Sequence, residues 1–437
     1  MKNDFKIINE DNPYFSRKKF SFKKLKNKRK SIKNKYKKLS NKSDIIDKNE
    51  IIKDNKCISS SQENISPTKK KIRNPGIDLI RLIVMYNIVV HHIMFFGNGY
   101  NLFPNHKRKL HYIRSFIDWN NNGFILISGI VGYKTNKYSN LLYLWLLVCF
   151  YSVGIHKYFL YFEKGFVKKG DNINSEYFPV VFDKYWYFKD YFGMYLFLPL
   201  INKGIAYLTK GELKFVVMST IGIFSIWRGY KNPNEDVFHF NNGMSLIWLL
   251  TYYLTGAYIG KYKVNYSGIK KFFYCLICIV FYFLASDLHL KSINNEFYIT
   301  IKGYKTIALP IKLKQMISWR YDSINRIIQS LSICLFFMQI HYNKYLAKII
   351  SFFGPLTFGV YIIHMHKFVV NKVFKHAFDN TPRNINLDAL FKYIFLKAFK
   401  IFIICIFIEY LRHLFFTMLR IRKILIFLET RLKLLLN

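Results

Sequence analysis

Acidic residues are scarce in this chain: 25 Asp plus Glu face 67 Lys plus Arg over 437 residues, a formal net charge of +42. Cysteine is scarcer still. Six in a chain of this length build no disulfide framework, which excludes a disulfide-held secreted domain. The one close pair, Cys275 and Cys278, has no second pair to complete a zinc site, so it reads as packing and no metal is expected. No Walker, Rossmann or zincin pattern occurs, and no internal repeat is visible. Nucleic-acid binding would rest on a basic tail alone, and none is expected. Apolar residues are what the chain does not lack. With 51% hydrophobic and 19% aromatic residues, a wholly disordered protein is excluded. Lys outnumbers Arg about four to one beside abundant Ile, Asn, Tyr and Phe, so part of the charge reflects compositional bias.

Charge and apolarity occupy different stretches. Residues 1–75 hold about 23 basic and 8 acidic residues and little apolar periodicity, which predicts a disordered basic tail. Such a tail is solvated in the cytosol, lies on anionic lipid or carries a localisation signal, and positive-inside bias assigns it to the cytoplasm. From Gly76 the character changes. Apolar runs near 77–97, 115–133, 140–160, 186–208, 213–228, 244–260, 271–290, 327–343, 350–372 and 392–413 recur at about the length that spans a bilayer. The predicted fold is all-α: a multi-pass membrane protein of about ten transmembrane helices over 76–413, with both termini cytoplasmic. In 414–437, Arg420, Arg422, Lys423, Arg431 and Lys433 alternate with Leu and Ile, which predicts a basic amphipathic helix on the cytosolic side.

Ionisable groups inside a bilayer are costly unless they pair or face a cavity, so each one is a candidate site. The first span is the richest. Asp78 and Arg81 sit three apart and can pair on one helix face. Arg81 and His92 are eleven apart, nearly three whole turns, and so point to the same side about 16 Å apart along the axis. His91 is expected to point away from that line.

These residues, Ile77-Asp78-Leu79-Ile80-Arg81 with His92, resemble the opening helix of the acyltransferase-3 family of integral membrane O-acyltransferases. Three further segments are similar to that family's motifs, in the same order: Phe124 to Ser128-Gly129, Tyr185-Trp186-Tyr187-Phe188 with Tyr191 to Leu200, and Gly359-Val360-Tyr361 with His364. The likeness spans about 77–413. Two departures stand out: Met365 and a second histidine, His366, follow His364, and the basic cluster after the second helix is reduced to Lys134 and Lys137.

The resemblance implies acyl-CoA, acetyl-CoA above all, as donor and a sugar, glycan or lipid-linked glycan as acceptor, with membrane lipid as the surroundings. Acyl transfer to a hydroxyl needs a base and a group for developing negative charge. His92 is the expected base, Arg81 the anchor for the donor's phosphates, and Asp78 the residue that orients Arg81. Tyr361, His364, Trp186, Asp190 and Ser128 are the expected substrate-binding residues, although Ser128 beside Gly129 also fits close helix packing, and Trp186 also fits interfacial anchoring. The rival readings are a transporter that uses Asp78, Arg81 and His92 as a substrate or proton pathway, and a non-catalytic membrane scaffold.

Overall fold

The computed structural model describes residues 73–436 except 164, 169–170, 232–235, 237, 264, 295–297, 302–303 and 309–315. The tail read from the sequence as 1–75 therefore lies, up to residue 72, outside the described residues.

Helix α1 (Pro75–Phe96) starts where Asn74 accepts a hydrogen bond from the Gly76 N–H at 2.9 Å and Pro75 supplies a preset φ. It is apolar on every side, as a helix surrounded by others must be. Ile80, Val84, Val89, Val90, Ile93 and Met94 are fully buried. The stretch read as one span at 115–133 is instead two helices, α2 (Lys107–Ile117) and α3 (Asn120–Gly132), broken at Asp118 and Trp119. Next come α4 (Tyr138–Phe162), α5 (Trp186–Tyr207), α6 (Lys210–Ile221), α7 (Leu246–Lys261) and α8 (Gly268–Asn294). A short antiparallel hairpin, β1 (Tyr298–Ile301) with β2 (Tyr304–Ala308), interrupts an otherwise helical order. Helices α9 (Ile324–Gln339), α10 (Lys344–Phe353), α11 (Thr357–Met365), α12 (Leu387–Met418) and α13 (Ile421–Leu436) complete it. The amphipathic segment read at 414–437 thus begins later, at Ile421, after a break where Arg420 takes φ 53°.

Among the described residues, four helical segments are long and apolar enough to cross a membrane: α1, α4, α8, and α10 with α11 taken together. The other predicted spans coincide with helices that are shorter, broken or carry more charge. On α8, Phe272, Phe273, Leu276, Ile277, Val280, Phe281 and Leu284 are exposed. A continuous apolar face of that size is stable in lipid, not in water.

Two features fix the bundle around α1. Helices α3 and α7 touch backbone to backbone, because a Cβ on Gly129 would collide with the Tyr253 carbonyl, and one on Gly256 with the Leu126 carbonyl. On α12, Glu409 and Arg412 form an ion pair within the bundle; Tyr151 of α4 donates to Glu409 at 2.7 Å, and Arg412 donates to Tyr143 at 2.7 Å. That pair is satisfied and ties α12 to α4. Helix α13 is docked to the start of α4 by Glu429, whose carboxylate accepts the N–H groups of Tyr138 (3.1 Å) and Ser139 (2.9 Å), while Arg422 lies over the Tyr143 ring. A carboxylate at a helix N-terminus meets orphan N–H donors and the positive end of the dipole.

Candidate active site

Helix α1 presents its polar residues to two different cavities. Arg81 lines the first, about 540 Å³ including its open side, with Ser128 and Gly132 of α3, Thr135, Asn140, Tyr191, Tyr195 and Tyr253. His92 lines the second, about 670 Å³ again including its open side, with Phe124, Asn120, Asn121, Trp186, Tyr187, Tyr321, Tyr361 and Met365 among its walls. Phe124 and Ser128 are one turn apart on α3, and Tyr187 and Tyr191 one turn apart on α5. The two cavities are therefore consecutive along the same helices. The Tyr187 and Tyr191 rings stack at 6.2 Å between their centroids.

At the first cavity, Arg81 donates to Asp78 Oδ1 at 2.6 Å, as its i,i+3 spacing requires. Arg73, absent from the sequence reading, donates to the same oxygen at 2.5 Å. Asp78 is fully buried and lines neither cavity, so it acts on Arg81 rather than on a ligand.

At the second cavity, His92 Nδ1 and His364 Nε2 are 3.0 Å apart, and His364 Nδ1 lies 2.6 Å from the Val360 carbonyl. A carbonyl only accepts, so His364 Nδ1 carries a proton. In a neutral His364 the Nε2 is then an acceptor, and His92 must donate from Nδ1. His92 Nε2 is left with a free lone pair. The hydrogen bonds thus fix the tautomer a general base needs.

Trp186 and Tyr361 line the His92 cavity, and Ser128 lines the Arg81 cavity while donating to the Phe124 carbonyl at 3.0 Å. Asp190 lines neither of the two. Met365 lines the His92 cavity, but its neighbour His366 turns to a buried group on the far side: Glu176, 3.8 Å away, with Ser152 donating to it and Lys184 at 2.8 Å. Burial raises the carboxyl pKa of Glu176, yet the Lys184 and Ser152 hydrogen bonds outweigh it and hold it below the usual range.

His91 differs from its expected placement, because it also lines the His92 cavity. Its Nδ1 approaches Asp118 Oδ1 to 2.8 Å, off the hydrogen-bond axis. Asp118 Oδ2 accepts from Arg114 at 2.7 Å and Arg326 at 2.8 Å, and His289 stands 3.5 Å away. The sequence reading missed this cluster. Its signal was an aspartate inside a supposed span, the same criterion that picked out Asp78.

Residues 74–409, most of the chain, match the acyltransferase domain of the acyltransferase-3 family. No curated protein and no solved structure matches the chain. The match runs over most of the chain and takes in the apolar, membrane-length helices α1, α4, α8 and α10 with α11, and the chain belongs to the acyltransferase-3 family, as an integral membrane acyltransferase.

Proposed function

We propose that the protein is a membrane O-acyltransferase that moves an acyl group, acetyl being the expected one, from acyl-CoA to a hydroxyl of a sugar, glycan or lipid-linked glycan. The observation that carries this reading is the arrangement along α1, with Arg81 on one cavity and His92 on the next. Arg81 suits the phosphates of the donor, which a guanidinium binds bidentately, and Asp78 holds its orientation. Ser128, Thr135, Asn140 and the tyrosines of that cavity offer hydrogen-bonding groups to a pantetheine arm extending toward His92.

In the His92 cavity, flat aromatic walls beside Asn120 and Asn121 fit a polyhydroxylated acceptor. Asn120 and Tyr187 line this cavity, and among the described residues Asn120 Oδ1 and the Tyr187 hydroxyl have no hydrogen-bond partner. His92 Nε2 takes the proton of the attacking hydroxyl. As the ester C–O bond forms and the thioester C–S bond breaks, the same nitrogen returns that proton to the leaving sulfur. In this reading the chain crosses the membrane about ten times with both ends in the cytoplasm, the Arg81 cavity opens toward the cytosol, and the acceptor arrives from the opposite side.

Membranes containing the His92→Ala variant are expected to lose acyl-CoA-dependent labelling of acceptor by about 10²–10⁴-fold with expression retained. Full activity would remove His92 as the base.

A further inference from the structure

The charges behind the wall of the His92 cavity do not cancel. Arg114 and Arg326 both pair with Asp118, and both run to its Oδ2 while His91 faces Oδ1. One carboxylate thus serves two guanidinium groups, and one positive charge is left over. Arg326 is fully buried, and its Nε and Nη1 find no hydrogen-bond partner among the described residues. Arg114 is partly open, with about a quarter of its side chain exposed. Asp118, His91, Asn120, Asn121 and Tyr321 carry this cluster to the cavity surface. An unbalanced guanidinium in a dry interior is unfavourable until a counter-anion or further acceptors reach it.

We propose that the acceptor taken by this cavity is a saccharide bearing an anionic substituent, a carboxylate or a phosphate, for which Arg114 and Arg326 around Asp118 supply the countercharge. The inference rests on the acyltransferase reading of the same site and names its acceptor class. Asn120, Asn121 and Tyr187 read the hydroxyls, and the leftover positive charge reads the acid. Asp118 does not repel such a ligand, because its own charge is spent on the arginines. It holds them directly behind the wall that it forms with His91, so their excess charge reaches the cavity through space rather than by direct contact.

The full-length protein in nanodiscs is titrated with three probes: a neutral trisaccharide, the uronate trisaccharide of the same linkage, and the neutral trisaccharide carrying one phosphate. Tryptophan fluorescence, to which Trp186 in the cavity contributes, reports binding, and acetyl-CoA is then added to score transfer. An anionic probe is expected to bind roughly tenfold more tightly than the neutral one, and the stronger of the two identifies carboxylate or phosphate. Arg114→Gln, a change at the more exposed of the two arginines, is expected to close most of that gap. Equal affinities, tighter neutral binding, no binding of any probe, or a gap untouched in Arg114→Gln would each overturn the proposal. Acetylation of the neutral probe without anion preference sinks it while leaving the acyltransferase reading. Anion-selective binding without any transfer does the reverse.

Discussion

The two nitrogens of His92 have different partners, and that difference separates the roles of the residues around it. Nδ1 is committed to His364, and no hydrogen bond among the described residues engages Nε2 of this cavity-lining residue. If His92 is the proposed base, His364 positions it, and its loss should cost less than loss of the base. His364→Ala is expected to lower kcat about ten- to a hundredfold with KM for acyl-CoA unchanged. His364→Gln, whose side-chain oxygen can still accept from Nδ1, should recover part of the loss; a purely structural role would produce no such rescue. Asp78→Asn acts at the other end, leaving Arg81 without its ionic partner. It should raise KM for acyl-CoA about tenfold and leave kcat nearly unchanged in steady-state kinetics. Asp78, Arg81 and His92 were legible in the sequence because a helix fixes the relation between residues three and eleven apart. The contact between His92 and His364, 272 residues distant, depends on how α1 and α11 meet, and periodicity does not encode that.

At the scale of the element, the sequence identified where helices lie better than where they break. The apolar run at 115–133 concealed Asp118, which ends α2, starts the turn into α3 and collects two arginines. Hydropathy averages over such a point, and an ion pair makes it tolerable. The C-terminal helix shows the converse: its basic residues stand out in the sequence, but its docking on α4 turns on an acid, Glu429, beside Arg422 over Tyr143. Burial raises the carboxyl pKa of Glu429, but the Lys433 ammonium and the donors of Ser139 and Tyr138 prevail and hold it at about 2. A carboxyl depressed in the folded state stabilises the docked helix above its ordinary value of 4.5, and that contribution is lost as pH falls from there toward 2. Hydrogen exchange of the Tyr138 and Ser139 amides should thus increase, relative to neighbouring helical amides, as pH falls through that window. Glu429→Gln should show the increase already at pH 7 and no longer respond to acid.

For the molecule as a whole, two consecutive cavities along α1 imply two routes of access. In sealed vesicles, donor on the side of the α1 N-terminus and acceptor on the other side should suffice for labelling. Transfer only with both on one side would refute the proposed geometry. The arrangement of hydrogen bonds at His92 bears on the rival transporter reading as well. A proton wire through a membrane needs each link to hand its proton onward. Here the line runs from His92 to His364 and stops at the Val360 carbonyl, a group with no proton to give. A proton that arrives at Nε2 can leave only through Nε2. The histidine pair is thus a cul-de-sac: under the proposed mechanism it lends its lone pair and takes it back, and the hydrogen lost by the alcohol would be the one the departing thiol acquires.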